Sequence, residues 1–344
     1  MSKPIKQFFR LAMLGTALVV IAFVLVFYAP NTDVSDEGQS IFVPAGTSFM
    51  ELKEMVNPFL HSTTSFSLAA FAKRFDRPRA GHFRISSDMG NQQLINLLRS
   101  GNTPVQITFN NQQTIEHLVG RVSAQLEMDS LSLLNAVKSE RFLEEVDLNQ
   151  EELLSLFLPN SYEMYWNISI TDFCDRMRRE SDRFWNSDRE QKRQKLKLTR
   201  AEVISLAAIV NEESKQVDER PRVAGVYLNR LRKGMKLQAD PTVIYAMKRQ
   251  ANNFDLVVRR VLYKDLQINS PYNTYANVGL PPGPITMPDI SSIDAVLNAE
   301  SHSYLYFVVD PKNIGYHLFA TTYKKHLANR EVYIRWLNRN RIMR

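Results

Sequence analysis

The chain opens with an uninterrupted apolar run from Leu11 to Ala29, in which Thr16 and Tyr28 are the weakly polar members. At about 1.5 Å of rise per residue, a helix of that length is long enough to cross the roughly 30 Å hydrocarbon core of a bilayer. We therefore predict a retained transmembrane anchor over residues 11–29. The alternative is a signal peptide removed after export, but Ala29-Pro30-Asn31 is a poor cleavage site.

The charges beside this run are asymmetric, because basic side chains precede it. They are Lys3, Lys6 and Arg10. The positive-inside tendency predicts that the flank at residues 1–10 lies in the cytoplasm. Residues 30–344 then lie outside the cytoplasm, and the protein is single-pass; the family resemblance described below implies that the membrane is the inner (cytoplasmic) membrane and that these residues are periplasmic. The polar stretch at residues 30–39 is predicted to be a short linker.

Residues 40–109 alternate between short strand patterns and short helix patterns. The strand patterns cover Ser40–Val43, Ala80–Ile85 and Thr103–Phe109. The helix patterns cover Phe49–Val56, Ser65–Phe75 and Asn91–Arg99. Short strands that frame short helices around a small core indicate a small α+β subdomain.

Residues 110–198 carry apolar residues at steps of three and four, which predicts helices. The helical segments are Thr114–Leu126, Leu131–Glu140 and Ile170–Arg193. Pro159 interrupts the helical pattern between the second and third segments. The predicted fold class is α+β, with one N-terminal transmembrane helix, the small subdomain and a larger mixed α/β domain at 110–344. Its site-bearing part is residues 199–330.

A capping box opens the next helix, with Thr199 followed three residues later by Glu202. The buried stripe of this helix is predicted at Ala201, Ile204, Ala208 and Val210. Glu213 lies at the end of the same pattern. The negative end of the helix dipole, together with partial burial, would raise the pKa of this carboxyl. A raised pKa is what a general acid working near neutral pH requires.

Two polar segments after Glu213 have the composition of a saccharide cleft. The first holds Asn229, Gln238, Asp240 and Thr242, and the second is Tyr272-Asn273-Thr274-Tyr275. Amide and hydroxyl groups suit sugar recognition because they both donate and accept hydrogen bonds. Tyrosine rings can stack on sugar rings. Asp240 precedes Pro241, so its alternative role is that of a turn former.

Composition narrows the classes of function. The net charge is +7, which favours anionic wall polymers or lipid headgroups as partners. The basic runs lack interleaved aromatic residues, which argues against nucleic acid binding. Cys174 is the single cysteine, so an intrachain disulfide is excluded. The six histidines show no zinc-binding spacing, and phosphate-binding or dinucleotide-binding motifs are absent from the sequence, so we predict neither metal nor cofactor.

The segments at 206–214, 226–245 and 269–285 together resemble the endolytic murein transglycosylases, the MltG or YceG-like family. The resemblance implies that residues 40–109 are a LysM-like subdomain and that residues 110–344 are the catalytic domain. It places the catalytic carboxyl at Glu213, the second acid of the family pattern Ile-X-Glu-X-Glu. It places substrate contacts at Glu219, Asn229, Gln238, Asp240, Thr242, Tyr272, Asn273, Thr274 and Tyr275.

This chain departs from the family pattern at two positions, where Asn160 and Asn211 replace acids. The assignment of the catalytic acid could also move to the neighbouring Glu212. Glu219 has an alternative role as a salt-bridge partner of Arg220 or Arg222.

The resemblance implies a lytic transglycosylase that cuts nascent peptidoglycan strands between N-acetylmuramic acid and N-acetylglucosamine, leaving 1,6-anhydro ends. Peptidoglycan synthases are its implied partners. Two alternatives stay open. A muramidase-type hydrolase would pair Glu213 with Asp240 or Glu219. A peptidoglycan-binding scaffold would use the same groove without cutting, and the two lost acids favour it.

Overall fold

The computed structural model describes residues 3–340, with side chains described from Gln7 onward. The helices are α1 (Lys3–Tyr28), α2 (Phe49–Val56), α3 (Thr63–Ala72), α4 (Asn91–Ser100), α5 (Ile115–Ser123), α6 (Ser130–Val137), α7 (Glu140–Val146), α8 (Ile170–Phe184), α9 (Ser187–Leu196), α10 (Arg200–Glu213), α11 (Arg220–Arg232), α12 (Asp240–Gln250), α13 (Ile290–Leu297) and α14 (Tyr323–Arg339). Short 3₁₀ turns lie at Asn57–Phe59, Leu153–Leu156 and Asp265–Gln267.

The strands pair in twos. They are β1 (Gln39–Val43), β2 (Gly81–Ile85), β3 (Pro104–Phe109), β4 (Asn160–Tyr165), β5 (Tyr306–Val309) and β6 (His317–Ala320). β1 pairs with β2, β3 with β4, and β5 with β6. The first and last pairs are antiparallel, with Ile41 opposite Phe83 and Phe307 opposite Phe319. The fold is therefore mixed α/β with one N-terminal apolar helix, as predicted, whereas the LysM-like character of residues 40–109 stays a prediction.

The predicted segment Ile170–Arg193 is divided into two helices, and the predicted segment Leu131–Glu140 ends early, at Val137. The segment predicted at Ile170–Arg193 is interrupted after Phe184, because the Asn186 side chain accepts a hydrogen bond from the Arg189 amide and starts α9. In the same way Ser139 accepts from the Phe142 amide and starts α7. Side chains that cap a helix compete with its continuation, and the apolar spacing alone did not reveal these breaks.

The chain forms two compact units. Unit 1 comprises the chain up to Ile107 together with Ala124–Met128 and Tyr162–Ser169, and unit 2 comprises the remainder. In unit 1 the β1–β2 pair packs with α2, α3 and α4 around Phe66, Phe83 and Leu94, which are fully buried.

The apolar helix α1 is long and apolar enough over Gln7–Tyr28 to cross a membrane. Its last turn belongs to the core of unit 1, because Phe27 is only 7% exposed and lies in the same cluster as Phe66. The polar segment after it is also held in place. Asn31 is buried and exchanges hydrogen bonds with Ser62, while its amide nitrogen donates to Asn91 at 2.7 Å. The start of the predicted linker is therefore packed against unit 1.

Unit 2 is organised around α10, whose residues from Ala201 to Asn211 are all buried except Glu202. Its capping box forms as predicted: the Thr199 hydroxyl accepts from the Glu202 amide, and the Glu202 carboxylate accepts from the Thr199 amide. Helices α11, α12 and α13 pack against it. A helix enclosed on all sides holds its end rigidly, and that end is Glu213.

Candidate active site

The Glu213 carboxyl lies at the C-terminal end of α10, at the wall of a cavity of about 340 Å³ in unit 2. The Tyr227 hydroxyl donates a hydrogen bond to its Oε1 atom at 2.9 Å. Tyr227 lies on α11 and is itself 1% exposed, so this phenol is fixed by packing. One carboxyl oxygen of Glu213 is thus held by the protein, and the residue lines the cavity.

Burial raises the pKa of the Glu213 carboxyl to about 7. The hydrogen bond from Tyr227 acts in the opposite direction, because it stabilises the carboxylate. The negative charge of Asp240 adds to the rise, while the positive charge of Arg230 opposes it. Burial also raises the pKa of Tyr227, so the phenol remains neutral and keeps its proton as a donor. Glu213 can therefore carry a proton near neutral pH.

Three of the predicted site residues line the same cavity as Glu213. They are Gln238, Asp240 and Tyr275. The Tyr275 hydroxyl donates to the Asp240 carboxylate at 2.6 Å, which joins the second polar segment to the start of α12. Gln238 has a φ of 51°, in the left-handed region that is unfavourable for residues with a side chain. Its amide donates to the Thr274 carbonyl, which helps to hold this conformation.

Two further predicted residues lie behind the cavity wall and bond to the protein. Thr242 is fully buried, and its hydroxyl donates to the Ala239 carbonyl at 2.7 Å. Thr274 is also buried; its hydroxyl lies 2.8 Å from that of Thr242 and accepts from the Ala239 amide. These contacts fix the backbone that carries Gln238 and Asp240. Thr242 and Thr274 shape the cavity from behind.

The second polar segment, Tyr272–Tyr275, is called the tyrosine loop below, and its other residues also bond to protein groups. Asn273 is fully buried and donates from its side chain to the carbonyls of Leu266 and Ile268, both at 2.9 Å. The Tyr272 hydroxyl donates to Glu151 at 2.8 Å, in a second cavity of unit 2. The loop therefore contributes Tyr275 to the Glu213 cavity, whereas Asn273 stabilises the turn and Tyr272 contacts different residues.

The remaining two predicted residues lie outside the lining of the Glu213 cavity. Asn229 donates from its side chain to the carbonyls of His302 and Tyr304, which ties α11 to the segment before β5. Glu219 is 3% exposed and accepts hydrogen bonds from the backbone and ring nitrogens of His317, at 2.8 and 2.7 Å. Glu219 therefore pairs with a histidine of β6 and connects the turn after α10 to the β5–β6 pair.

The structure gives Asn211 a packing role. It is 4% exposed, and its side-chain oxygen accepts hydrogen bonds from Ser292 and from the Asp289 amide at the start of α13. Glu212 is exposed and accepts from the Asn211 side chain. Asn160 is exposed at the start of β4, where its side chain accepts from the Ser161 amide.

Several residues of the cavity wall lay outside the set of predicted site residues. They are Tyr227, Arg230, Tyr306, Phe307, Tyr323 and His326. Burial lowers the pKa of His326, whose ring stacks on Tyr306 with the ring centres 5.3 Å apart. The Arg230 guanidinium also lies over Tyr306, 5.3 Å from its ring centre. A phenol within the aliphatic run of α11 was the one local signal for Tyr227.

Among residues 3–340, no group of three or more His, Cys, Asp or Glu side chains is placed to hold a metal ion. The Glu213 cavity combines a carboxyl of raised pKa, a neutral phenol, a guanidinium and aromatic surface. Such a set can donate a proton to a neutral polar substrate and contact sugar rings.

Comparison with known proteins gives consistent matches. A model of the YceG-like family matches residues 41–332. An endolytic murein transglycosylase of Bacillus subtilis is 27% identical over 314 residues, which are 86% of this chain and 84% of the relative. An endolytic murein transglycosylase of Streptococcus pneumoniae is 26% identical over 318 residues, which are 84% of this chain and 57% of that relative.

The chain therefore spans little more than half the length of the Streptococcus relative. The crystal structure of a putative YceG-like protein from Listeria monocytogenes also matches this chain. It aligns with a TM-score of 0.57 at 24% identity, over 86% of this chain and 99% of that one, which is a likeness of fold. The family model alone covers most of the chain from β1 to α14. This protein belongs to the YceG-like family.

Proposed function

We propose that this chain is a membrane-anchored endolytic lytic transglycosylase acting on peptidoglycan. Its substrate is the β-1,4 bond between N-acetylmuramic acid and N-acetylglucosamine, and its product is a 1,6-anhydromuramic end. The observation that carries the proposal is the Glu213 carboxyl, whose pKa burial raises to about 7 and which one phenol orients at a cavity wall. The relatives named endolytic murein transglycosylases supply the substrate class.

In the first step Glu213 acts as the general acid. Its Oε1 atom accepts from Tyr227, so the acidic proton resides on the other oxygen, Oε2. That proton passes to the glycosidic oxygen, the bond from C1 to that oxygen breaks, and positive charge develops on the muramic acid ring. Proton transfer of this kind contributes about 10²- to 10⁴-fold in rate. The alcohol that leaves is the end of one glycan fragment.

In the second step the same carboxylate acts as the general base. It accepts the proton of the muramic acid 6-hydroxyl, and that oxygen bonds to C1. Because the nucleophile belongs to the substrate, one carboxyl suffices, whereas a hydrolase needs a second carboxylate to form a glycosyl intermediate or activate water. The Tyr227 hydrogen bond stabilises the carboxylate between the two steps, and the neutral phenol remains a donor throughout.

A muramidase is the second candidate, and one observation favours it. The Asp240 carboxylate lines the same cavity as Glu213. It accepts a hydrogen bond from Tyr275, and its charge adds to the rise in the pKa of Glu213. In the transglycosylase mechanism Asp240 and Tyr275 bind and orient the sugar. In a hydrolase Asp240 would be essential to the reaction.

The proposed location is the inner membrane, with α1 as the anchor and unit 2 in the periplasm. Gln7–Tyr28 spans about 33 Å as a helix, at about 1.5 Å per residue, which matches the hydrocarbon core. The basic residues before it support a cytoplasmic N-terminus. Cutting of nascent strands beside the peptidoglycan synthases is the role that this location supports.

The test is the chemistry of the product ends. The full-length chain in detergent is incubated with uncrosslinked glycan strands, because Phe27 of α1 is part of the unit 1 core and truncation would remove it. Mass spectrometry then separates anhydro ends from reducing ends, which are heavier by one water molecule. Internal fragments with anhydro ends support the proposal. Reducing ends would establish the muramidase, and intact strands would favour a binding protein.

A further inference from the structure

The second cavity of unit 2 is a different site from the Glu213 cavity. It has a volume of about 250 Å³, and the two cavities share no lining residue. We propose that it binds the peptide branch of the glycan strand, through the free carboxylate and ammonium groups that such a branch carries. The inference rests on the proposed function, because it takes peptidoglycan as the substrate.

Four charged side chains of the cavity form two ion pairs. Arg249 forms a two-pronged pair with Glu151 at 2.5 Å, and Lys138 pairs with Glu116. Both pairs line the same cavity. Two cations and two anions in one cavity suit a ligand that carries both signs of charge. A purely anionic ligand would meet two carboxylates.

These charges are accessible to a ligand. The exposed fractions of the side chains are 43% for Arg249, 40% for Glu151, 34% for Lys138 and 50% for Glu116. An exposed ion pair contributes little net stability, because water solvates its separated partners well. Arg249 can therefore turn from Glu151 to a ligand carboxylate at little cost, and Glu151 can then accept from a ligand ammonium.

Aromatic side chains supply a rigid floor beneath the charges. The rings of Tyr245 and Tyr272 lie with their centres 4.6 Å apart, and the Arg249 guanidinium lies 5.0 Å from the Tyr272 ring centre. Tyr272 is 1% exposed and its hydroxyl donates to Glu151, so the floor also fixes one acid of the two pairs. The buried rings therefore hold Arg249 and Glu151 in place at the cavity wall.

Helix α12 and the tyrosine loop each contribute residues to both cavities. Asp240 at the first turn of α12 lines the Glu213 cavity, and Arg249 in the last turn lines the second one. These positions are about 13 Å apart along a helix, at about 1.5 Å per residue. The tyrosine loop follows the same course, with Tyr275 bonded to Asp240 and Tyr272 to the Glu151–Arg249 pair. A branch of a strand held at Glu213 can reach this distance.

The test compares two substrates in steady-state kinetics of the full-length chain. One is uncrosslinked glycan strands with peptide stems, and the other is the same strands stripped of stems by an amidase. We expect Arg249→Gln to raise KM for the stem-bearing strands about tenfold, as loss of a two-pronged charged hydrogen bond does, with kcat unchanged. We expect no change on the stripped strands. Lys138→Gln should also raise KM for the stem-bearing strands.

The matched control is Arg141→Gln, which removes an exposed arginine whose ion pair with Glu145 lies outside the cavity. Equal effects of Arg249→Gln on both substrates, or none on either, would overturn the inference. Binding of the free stem peptide released by the amidase is measured by calorimetry in parallel. Products with anhydro ends, formed with the same effect of Arg249→Gln on both substrates, would support the proposed function and contradict only the peptide site. Stem peptide binding that Arg249→Gln abolishes would support the site even if no strand were cut.

Discussion

The raised pKa of Glu213 has a consequence for stability that can be measured without substrate. Burial raises the pKa of this carboxyl from an ordinary 4.5 to about 7 in the folded chain. Between these values the folded protein binds the proton and the unfolded chain releases it. The free energy of unfolding therefore falls as pH rises through this window, and the stabilisation is complete only below about pH 4.5. Glu213→Gln keeps the shape of the side chain and removes the titration.

The magnitude follows from the same two values. Their difference, at about 1.4 kcal/mol for each pH unit, corresponds to about 3 kcal/mol at alkaline pH. Between pH 5 and pH 8 we expect the free energy of unfolding of the wild type to fall by about 2.5 kcal/mol relative to that of Glu213→Gln. This is less than the full difference because part of it is already present at pH 5. The variant should thus be the more stable protein at pH 8.

The assay is the free energy of unfolding from urea titrations of the full-length chain in detergent, read by pulse proteolysis at both pH values. The matched control is Glu212→Gln, because Glu212 is the adjacent acid and is exposed. Because Glu212→Gln leaves Glu213 in place, it should lose stability between the two pH values as the wild type does. A constant difference between wild type and Glu213→Gln across the range would mean that Glu213 titrates normally in the folded chain. The acid assignment would then lose its electrostatic basis.

Three further predictions concern the residues around the acid. Tyr227→Phe removes the donor that lowers the pKa of Glu213, so the alkaline limb of the kcat/KM profile should move up by about one pH unit. The size of this shift follows from the value of a hydrogen bond to a charged group, about 1.5–3 kcal/mol. A limb that does not move would contradict the role of this contact. Thr242→Val removes a buried donor, and we expect the free energy of unfolding to fall by about 1–3 kcal/mol with KM unchanged. A raised KM without loss of stability would instead place Thr242 at the substrate. Asp240→Asn should keep anhydro products with less than about a tenfold loss of kcat, whereas a loss above about 10²-fold would assign it to catalysis.

The local features of α10 were predictable from sequence because they depend on neighbouring residues. The capping box of Thr199 and Glu202 fixes where the helix starts, and its apolar residues predict burial. The end of the helix then follows, and Glu213 with it. The rise in the pKa of Glu213 was predicted from burial and from the helix terminus, and burial is its largest cause in the structure.

The surroundings of Glu213 were not predictable in the same way. Tyr306 and His326 lie about a hundred residues further along the chain, and only the tertiary fold brings them to the cavity. The β-rich pattern around Tyr306 indicates only a core strand, and nothing local to His326 indicates a cavity. In the tyrosine loop, composition grouped all the residues as sugar contacts. The structure places only Tyr275 in the Glu213 cavity, whereas the Asn273 side chain bonds to backbone carbonyls. Side-chain direction in an irregular loop is set by contacts distant in sequence.

The central claim is that Glu213 transfers the proton that breaks the glycosidic bond. Its most direct test is the rate at which full-length wild type, Glu213→Gln and Glu212→Gln release anhydro-ended fragments from uncrosslinked glycan strands at one pH. We predict that Glu213→Gln is slower by at least about 10²-fold, the usual contribution of a general acid, and that Glu212→Gln stays near wild type. Full release by Glu213→Gln, or loss of release in Glu212→Gln instead, would contradict the account.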